Sequence, residues 1–312
     1  MTKTPTMDWR QPEITIQVVS DLHAEFRGNQ IAISRMNFST PCDILLLPGD
    51  IAPCLEAPRL AVELFRAAGA IVMIAGNHEY YGFRGSMAKA LNLEQRAVDK
   101  LRKSGANIFL LEDKAITLSI RGVDVKIAGA TLWTDYALYG HNEEEKARMM
   151  AVRGMADFIA IKDLLSCYND NYVSRTQRLV ERHHKSRAFL NSFLASPGDA
   201  PKIIMTHHLP SVRSVSPNFA GSHLNPSFAS NLDAEIGTGR AVLWAHGHTH
   251  TSGCWRDEAG TLVVCNPFGY ARDEGYFMSL ENPRFYENFS VRLFRRDGAW
   301  VAEKNEQVYF DF

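Results

Sequence analysis

No apolar run in the chain approaches the roughly 18 residues that would suggest a membrane span. Met1 to Arg10 has no apolar stretch of the kind a secretory signal carries, so none is expected. The five cysteines, Cys42, Cys54, Cys167, Cys254 and Cys265, are odd in number and form no C-x-x-C pair. That argues against a disulfide framework or a cysteine zinc site, and reduced, mostly buried thiols of a cytoplasmic protein are the expectation. No charge of one sign dominates, since 34 Lys plus Arg face 35 Asp plus Glu for a formal net charge of −1. A strongly basic nucleic-acid binder is not supported. With 46% apolar and 22% charged residues the chain is not disordered. Internal repeats and low-complexity linkers are also lacking. One domain over residues 1–312 is therefore preferred to two.

What the sequence does have is a regular alternation. Ile14 to Val19, Asp43 to Leu47 and Ile71 to Ala75 are short apolar runs whose lengths and flanking Gly, Pro and Asp favour strands. Ala57 to Ala70 and Ser86 to Ser104 have helical spacing. Asn107 to Leu111, Ala115 to Ile120 and Val123 to Ala128 continue the strand pattern, with Arg121-Gly122 as a turn. From about residue 137 to 196 the chain is charged and rich in helix formers, with helical spacing over Val173 to Leu194, and reads as a helical insertion. Lys202 to Thr206, Ala241 to Ala245 and Thr261 to Cys265 resume the strands. Ser290 to Phe294 and Trp300 to Glu303 form an expected hairpin around Asp297-Gly298.

The chemistry lies at the C-terminal ends of these runs. Five of them lead into Ser20-Asp21-Leu22-His23, Pro48-Gly49-Asp50, Gly76-Asn77-His78-Glu79, Thr206-His207-His208 and His246-Gly247-His248-Thr249-His250. Seven of the eleven histidines (His23, His78, His207, His208, His246, His248 and His250) fall in these segments. Open α/β sheets place ligands at strand C-terminal ends. Imidazole and carboxylate together are the donor set for Zn, Mn or Fe. Asp21 and His23, like His248 and His250, are two apart and point the same way if the local chain is extended. Each segment alone is also an ordinary turn or a satisfied histidine; it is the ordered set of five that argues for a metal site.

That ordered series, D-x-H, G-D, G-N-H-E, H and G-H-x-H, resembles the calcineurin-like metallophosphoesterases over Asp21 to His250. The resemblance implies an α/β four-layer sandwich, two packed sheets flanked by helices, here carrying the helical insertion. It implies two metal ions, divalent or trivalent (Mn, Fe or Zn), at the strand ends. Asp21, His23 and His250 would hold one, Asn77, His207 and His248 the other, and Asp50 would bridge. His78 would act on the phosphate as charge stabiliser or proton donor, with Glu79 in the position of an acidic residue that orients it. His208 and His246 would be neighbours of ligands. Two ions about 3.5–4 Å apart lower a shared water toward a neutral pKa, and the hydroxide attacks phosphorus.

Gly49-Asp50-Ile51-Ala52-Pro53-Cys54 lacks the Asp-Arg-Gly of the family's protein phosphatases, which argues against that branch. The near-zero charge argues against long duplex nucleic acid. The expectation is a hydrolase acting on a small phosphodiester or phosphomonoester, a nucleotide among the candidates. A nuclease on short or single-stranded ends and a non-catalytic scaffold of the same fold are the alternatives. Tyr80, Tyr81, Trp133 and Tyr270 either line the pocket or pack in the core.

Overall fold

In a computed structural model of the chain, residues 13–165, 171–273 and 278–305 are described; Met1 to Arg10 and Cys167 lie outside them. The first stretch runs β1 (Ile14–Val18), α1 (Arg27–Ile33), β2 (Cys42–Leu47), α2 (Ala57–Leu64), β3 (Ala68–Met73), α3 (Met87–Lys103) and β4 (Ile108–Leu110). Then come β5 (Lys114–Ile120), β6 (Val123–Ala130), α4 (Glu144–Gly154), α5 (Asp157–Ala160) and α6 (Tyr172–Ala195). The remainder is β7 (Lys202–Thr206), α7 (Asn225–Phe228), α8 (Asp233–Ile236), β8 (Leu243–His246), β9 (Gly253–Arg256), β10 (Leu262–Cys265), β11 (Ala271–Asp273), β12 (Met278–Leu280), β13 (Ser290–Arg296) and β14 (Ala299–Lys304).

The strands form two six-stranded sheets, ordered β14-β13-β1-β2-β3-β4 and β5-β6-β7-β8-β10-β9, and a small β11-β12 ribbon. The run β1 to β4 is parallel, as is β6-β7-β8-β10. Their near-continuous apolar sequences fit strands buried on both faces. Side chains alternate accordingly. Ile44 and Leu46 meet Ile203 and Met205 in a core between the sheets. Leu45 and Leu47 face outward with Ala32, Ala61 and Val98 of α1, α2 and α3. Ile204 and Trp244 pack on Leu190 and Leu194 of α6. Each Val, Leu, Ile or Met among them, once fully buried, contributes roughly 1.5–3 kcal/mol. Two sheets covered by helices on their outer faces is the four-layer architecture expected.

The turns follow their chemistry. Arg121-Gly122 (φ 51° and 82°) and Asp297-Gly298 (φ 52° and 84°) are positive at both central residues, which matches the right-handed twist of their hairpins. Helix α6 begins on a capping box, with Asn171 accepting from the Ser174 amide and Ser174 Oγ accepting from the Asn171 amide. The largest departures from the expected boundaries lie between α2 and β3. The helix expected over Ala57 to Ala70 ends at Leu64, and β3 begins at Ala68 rather than Ile71. Alanine and glycine at 68–70 carry no strand signal of their own; they become strand by pairing with Cys42 and Ile44 of β2. Strand β9 and helix α1 are also new.

Candidate metal centre

The C-terminal ends of β1, β2 and β3 in one sheet, and of β7 and β8 in the other, deliver the five polar segments to one place. Their backbones bend sharply on leaving the strands. Asp21 (φ 54°), His23 (45°), Asp50 (55°), His248 (69°) and His250 (46°) all adopt the left-handed region, which costs free energy and clusters at functional sites. The extended geometry expected for Asp21-x-His23 and His248-x-His250 is therefore replaced. One consequence is that His248 and His250 diverge: His248 Nδ1 lies 3.1 Å from His207 Nε2, whereas His250 Nε2 lies 2.9 Å from His23 Nε2. Close approach requires glycine twice. A Cβ on Gly247 would sit 2.7 Å from Asp21 Oδ2, and one on Gly76 would be 2.7 Å from His207 Cε1.

Two groups of donor atoms lie on either side of Asp50, and a third cluster, His23, Asp50 and His78, joins them. In the first, Asp21 Oδ1 is 3.6 Å from His250 Nε2, which faces His23 Nε2. In the second, His207 Nε2 is 2.9 Å from Asn77 Oδ1 and 3.1 Å from His248 Nδ1. Asp50 lies between, its Oδ2 3.7 Å from His23 Nε2 and 3.4 Å from His207 Nε2. Its Oδ1 accepts the His78 amide at 2.8 Å. Asp21, His23 and His250, and separately Asp50, His207 and His248, each have donor atoms mutually within 4.8 Å.

The far nitrogens decide what these groups can hold. His207 Nδ1–H donates to Pro48 O (2.8 Å), His250 Nδ1–H to Glu281 Oε2 (2.8 Å) and His23 Nδ1–H to Glu25 Oε1 (3.3 Å). With those tautomers set by the network, each neutral ring turns an Nε2 lone pair inward. The inward faces of these three rings are then lone pairs, set beside carboxylate and amide oxygens. Such a face repels itself unless a cation occupies it, so the residues fit two metal ions. In the protein alone, protons take that place. Burial opposes charge on His207, but Asp50 and Asp21 push its pKa up to about 9; likewise Asp21 and Glu281 push His250 up to about 10 against burial. Burial raises the Asp50 carboxyl, but the surrounding imidazoles, His207 foremost, hold it well below its ordinary range.

His78 stands beside the donors rather than among the assigned ligands. Burial lowers its affinity for a proton, yet Asp50 and Glu25 raise it net. Its Nδ1 donates to Glu25 Oε1 at 2.7 Å. That corrects the role expected for Glu79, which does not reach the His78 ring. Glu79 instead accepts three backbone amides, from Asp50 (3.0 Å), Ile51 (2.9 Å) and Gly76 (2.7 Å), tying two ligand turns together. Because Glu79 follows His78 on a 3-10 turn, its side chain points under the site while Glu25 comes over from the segment between β1 and α1. Glu25 sits two residues beyond D-x-H, a signal that was available; Glu281, brought in by the β11-β12 ribbon, had none. His208 and His246 are fully buried and engage Thr131 O (3.1 Å) and Ser214 Oγ (2.9 Å).

The centre opens into a cavity of about 560 Å³. Tyr81 and Tyr270 line it, whereas Tyr80 and Trp133 are buried in the core at 2% and 1% exposure. Met155, Leu209, Val215, Phe219, Leu224 and Phe228 give it an apolar wall. Among the described residues no Lys or Arg lines it, and its charged lining is Asp50, Glu281 and the histidines.

Residues 14–252 match the family model described as calcineurin-like phosphoesterase. No curated protein sequence matches the chain. Among solved structures, the phosphopantetheinyl hydrolase of Mycobacterium tuberculosis is similar with a TM-score of 0.62 and 20% identity, over 87% of this chain and 98% of that one. A dimetal phosphatase from Danio rerio aligns at a TM-score of 0.39 and 14% identity, over 93% of this chain and 98% of that one.

Proposed function

The chain belongs to the calcineurin-like phosphoesterases, metal-dependent phosphate-ester hydrolases, and from that premise we propose that it uses two cations to hydrolyse a small phosphoester with an uncharged organic part. The observation that carries the reading is the clustering of carboxylate, amide and imidazole donor atoms in two groups with Asp50 between them. Asp21, His23 and His250 would hold one ion and Asn77, His207 and His248 the other. Their nitrogen and oxygen donors suit Mn, Fe or Zn. When bound, the ions supply positive charge for the phosphoryl oxygens and bring a water to a near-neutral pKa. Everything else is the work of side chains. Glu25 holds the Nδ1 proton of His78, and with Asp50 it favours the charged ring, which is then able to give a proton to the departing oxygen. Tyr81 stacks on that ring, centroids 4.0 Å apart, and fixes its plane.

Substrate class follows from charge. Among the described residues the cavity carries no fixed cation besides its histidines, so the phosphate would be recognised mainly by the bound cations, with the charged His78 ring beside them. With no lining Lys or Arg among the described residues, a second phosphate gains nothing. The apolar wall instead takes an uncharged chain, which disfavours oligonucleotides and nucleoside polyphosphates. We read residues 1–312 as one phosphoesterase domain with the helical insertion at about 137–196. The four described cysteines are buried, which suits the cytoplasm; no helix of the described residues is long and apolar enough to cross a membrane.

The test is a panel of aryl monoesters and diesters, a phosphopantetheinyl ester, nucleoside mono- and triphosphates and oligonucleotides, each with Mn-, Fe- or Zn-loaded protein. Turnover of the esters with uncharged leaving groups is expected. Turnover confined to oligonucleotides or triphosphates overturns the substrate class, and none at all overturns the enzyme.

A further inference from the structure

Asn77 is a ligand whose donor is not set by its chemistry alone. An amide rotated by half a turn presents Nδ2, which cannot bind a cation, in place of Oδ1. We propose that Asp157, on α5 in the helical segment between β6 and β7, is the positioning residue that fixes this amide, so that this segment completes the second cation site. The inference rests on the two-cation reading above.

Asp157 is 3% exposed, and its Oδ1 receives two hydrogen bonds. Asn77 Nδ2 donates to it at 2.9 Å and Tyr81 OH donates to it at 2.8 Å. A carboxylate only accepts, so the amide end against it is the NH2. Tyr81 spends its single proton on Asp157 and thus offers Asn77 a lone pair, to which Nδ2 donates at 3.1 Å. Both amide hydrogens are thereby used on the side away from the centre, and Oδ1 is left facing His207 Nε2 at 2.9 Å. A flipped amide would set a carbonyl oxygen against a buried carboxylate and an NH2 against the cation. The same carboxylate reaches His78 indirectly, because the phenol it holds is the one stacked on that ring. One acidic side chain from outside the two sheets therefore orients both a ligand and the proton donor.

The experiment is Mn(II) titration of the metal-stripped full chain by calorimetry, with the spin-coupled dinuclear EPR signal as a second readout. In Asp157→Ala the equivalent held by Asn77, His207 and His248 should lose about 10- to 100-fold in affinity, the range for removing an outer hydrogen-bond partner, while the equivalent held by Asp21, His23 and His250 is unchanged. Asn77→Asp alone should also lose it, because two carboxylates then face each other. The exchange Asn77→Asp with Asp157→Asn restores a donor-acceptor pair with an oxygen still inward, and should recover affinity above either parent. Wild-type affinity in Asp157→Ala, or a double exchange no better than its parents, overturns the inference. Should Asp157→Ala fail to fold, the exchange pair still decides. Wild-type protein that takes up two ions but hydrolyses nothing overturns the functional reading alone; wild-type protein that takes up one overturns both.

Discussion

Replacing Glu25 and Glu79 separately by glutamine distinguishes two carboxylates that lie close to the same histidine. Glu25 Oε1 accepts the His78 Nδ1 proton at 2.7 Å. A hydrogen bond to a charged partner contributes about 1.5–3 kcal/mol. At 1.36 kcal/mol per pKa unit, its loss lowers the His78 pKa by about one to two units. Because His78 gives its proton in the charged form, turnover falls as pH rises through that pKa. In Glu25→Gln the alkaline limb of kcat should move to lower pH by the same one to two units. Above the new limb, kcat should fall about 10- to 100-fold. Glu79→Gln should act differently. Its Oε2 takes two amides and its Oε1 a third, so an NH2 at either end leaves at least one buried amide facing a donor. That costs about 1–3 kcal/mol and should lower Tm by several degrees, with the alkaline limb in place. The assay is kcat against pH on an aryl phosphoester at saturating metal, with thermal melts alongside. An unmoved limb in Glu25→Gln, or a moved limb with unchanged Tm in Glu79→Gln, refutes the assignment.

His78→Ala should retain both ions by elemental analysis while kcat drops about 10²–10⁴-fold, the usual scale for a lost general acid. In Gly76→Ala the new methyl collides with Asp50 Oδ1 and His207 Cε1, so metal content should fall at both sites in a chain whose circular dichroism is unchanged. Burial holds His208 at about 3 and His246 at about 4, each neutral in the fold. The unfolded chain binds those protons near pH 6.5, so stability present above 6.5 is lost as pH falls toward 4. In melts against pH, His246→Gln should flatten that acid limb relative to wild type; parallel curves contradict the reasoning.

Much of the fold and of the site was legible in the sequence because strand ends carry the chemistry. Short apolar runs marked β1, β2, β7 and β10, and the segments at the ends of five such runs hold all seven proposed ligands. What was not legible depends on tertiary geometry. The runs of Ala and Gly that open β3 are strand only because β2 pairs with them. The expectation that residues two apart point together failed at His248 and His250, since their left-handed backbone sends one ring to each group. Glu79 sits next to His78 in sequence, yet the 3-10 turn sends it beneath the site, and Glu25 makes the contact. Asp157 and Glu281 carry no local signal: a helix between two sheets and a ribbon near the C-terminus bring them in. Tyr80 and Tyr81 are adjacent, and only burial separates a core ring from a site ring.

The central claim is that two cations, held in the two groups that share Asp50, carry phosphoester hydrolysis. Its most direct test is the initial rate on an aryl phosphoester as Mn(II) is added stepwise to the metal-stripped chain. The account predicts a rate that saturates at two equivalents per chain and is abolished in Asp50→Asn. A rate that saturates at one equivalent, or that survives in Asp50→Asn, contradicts it.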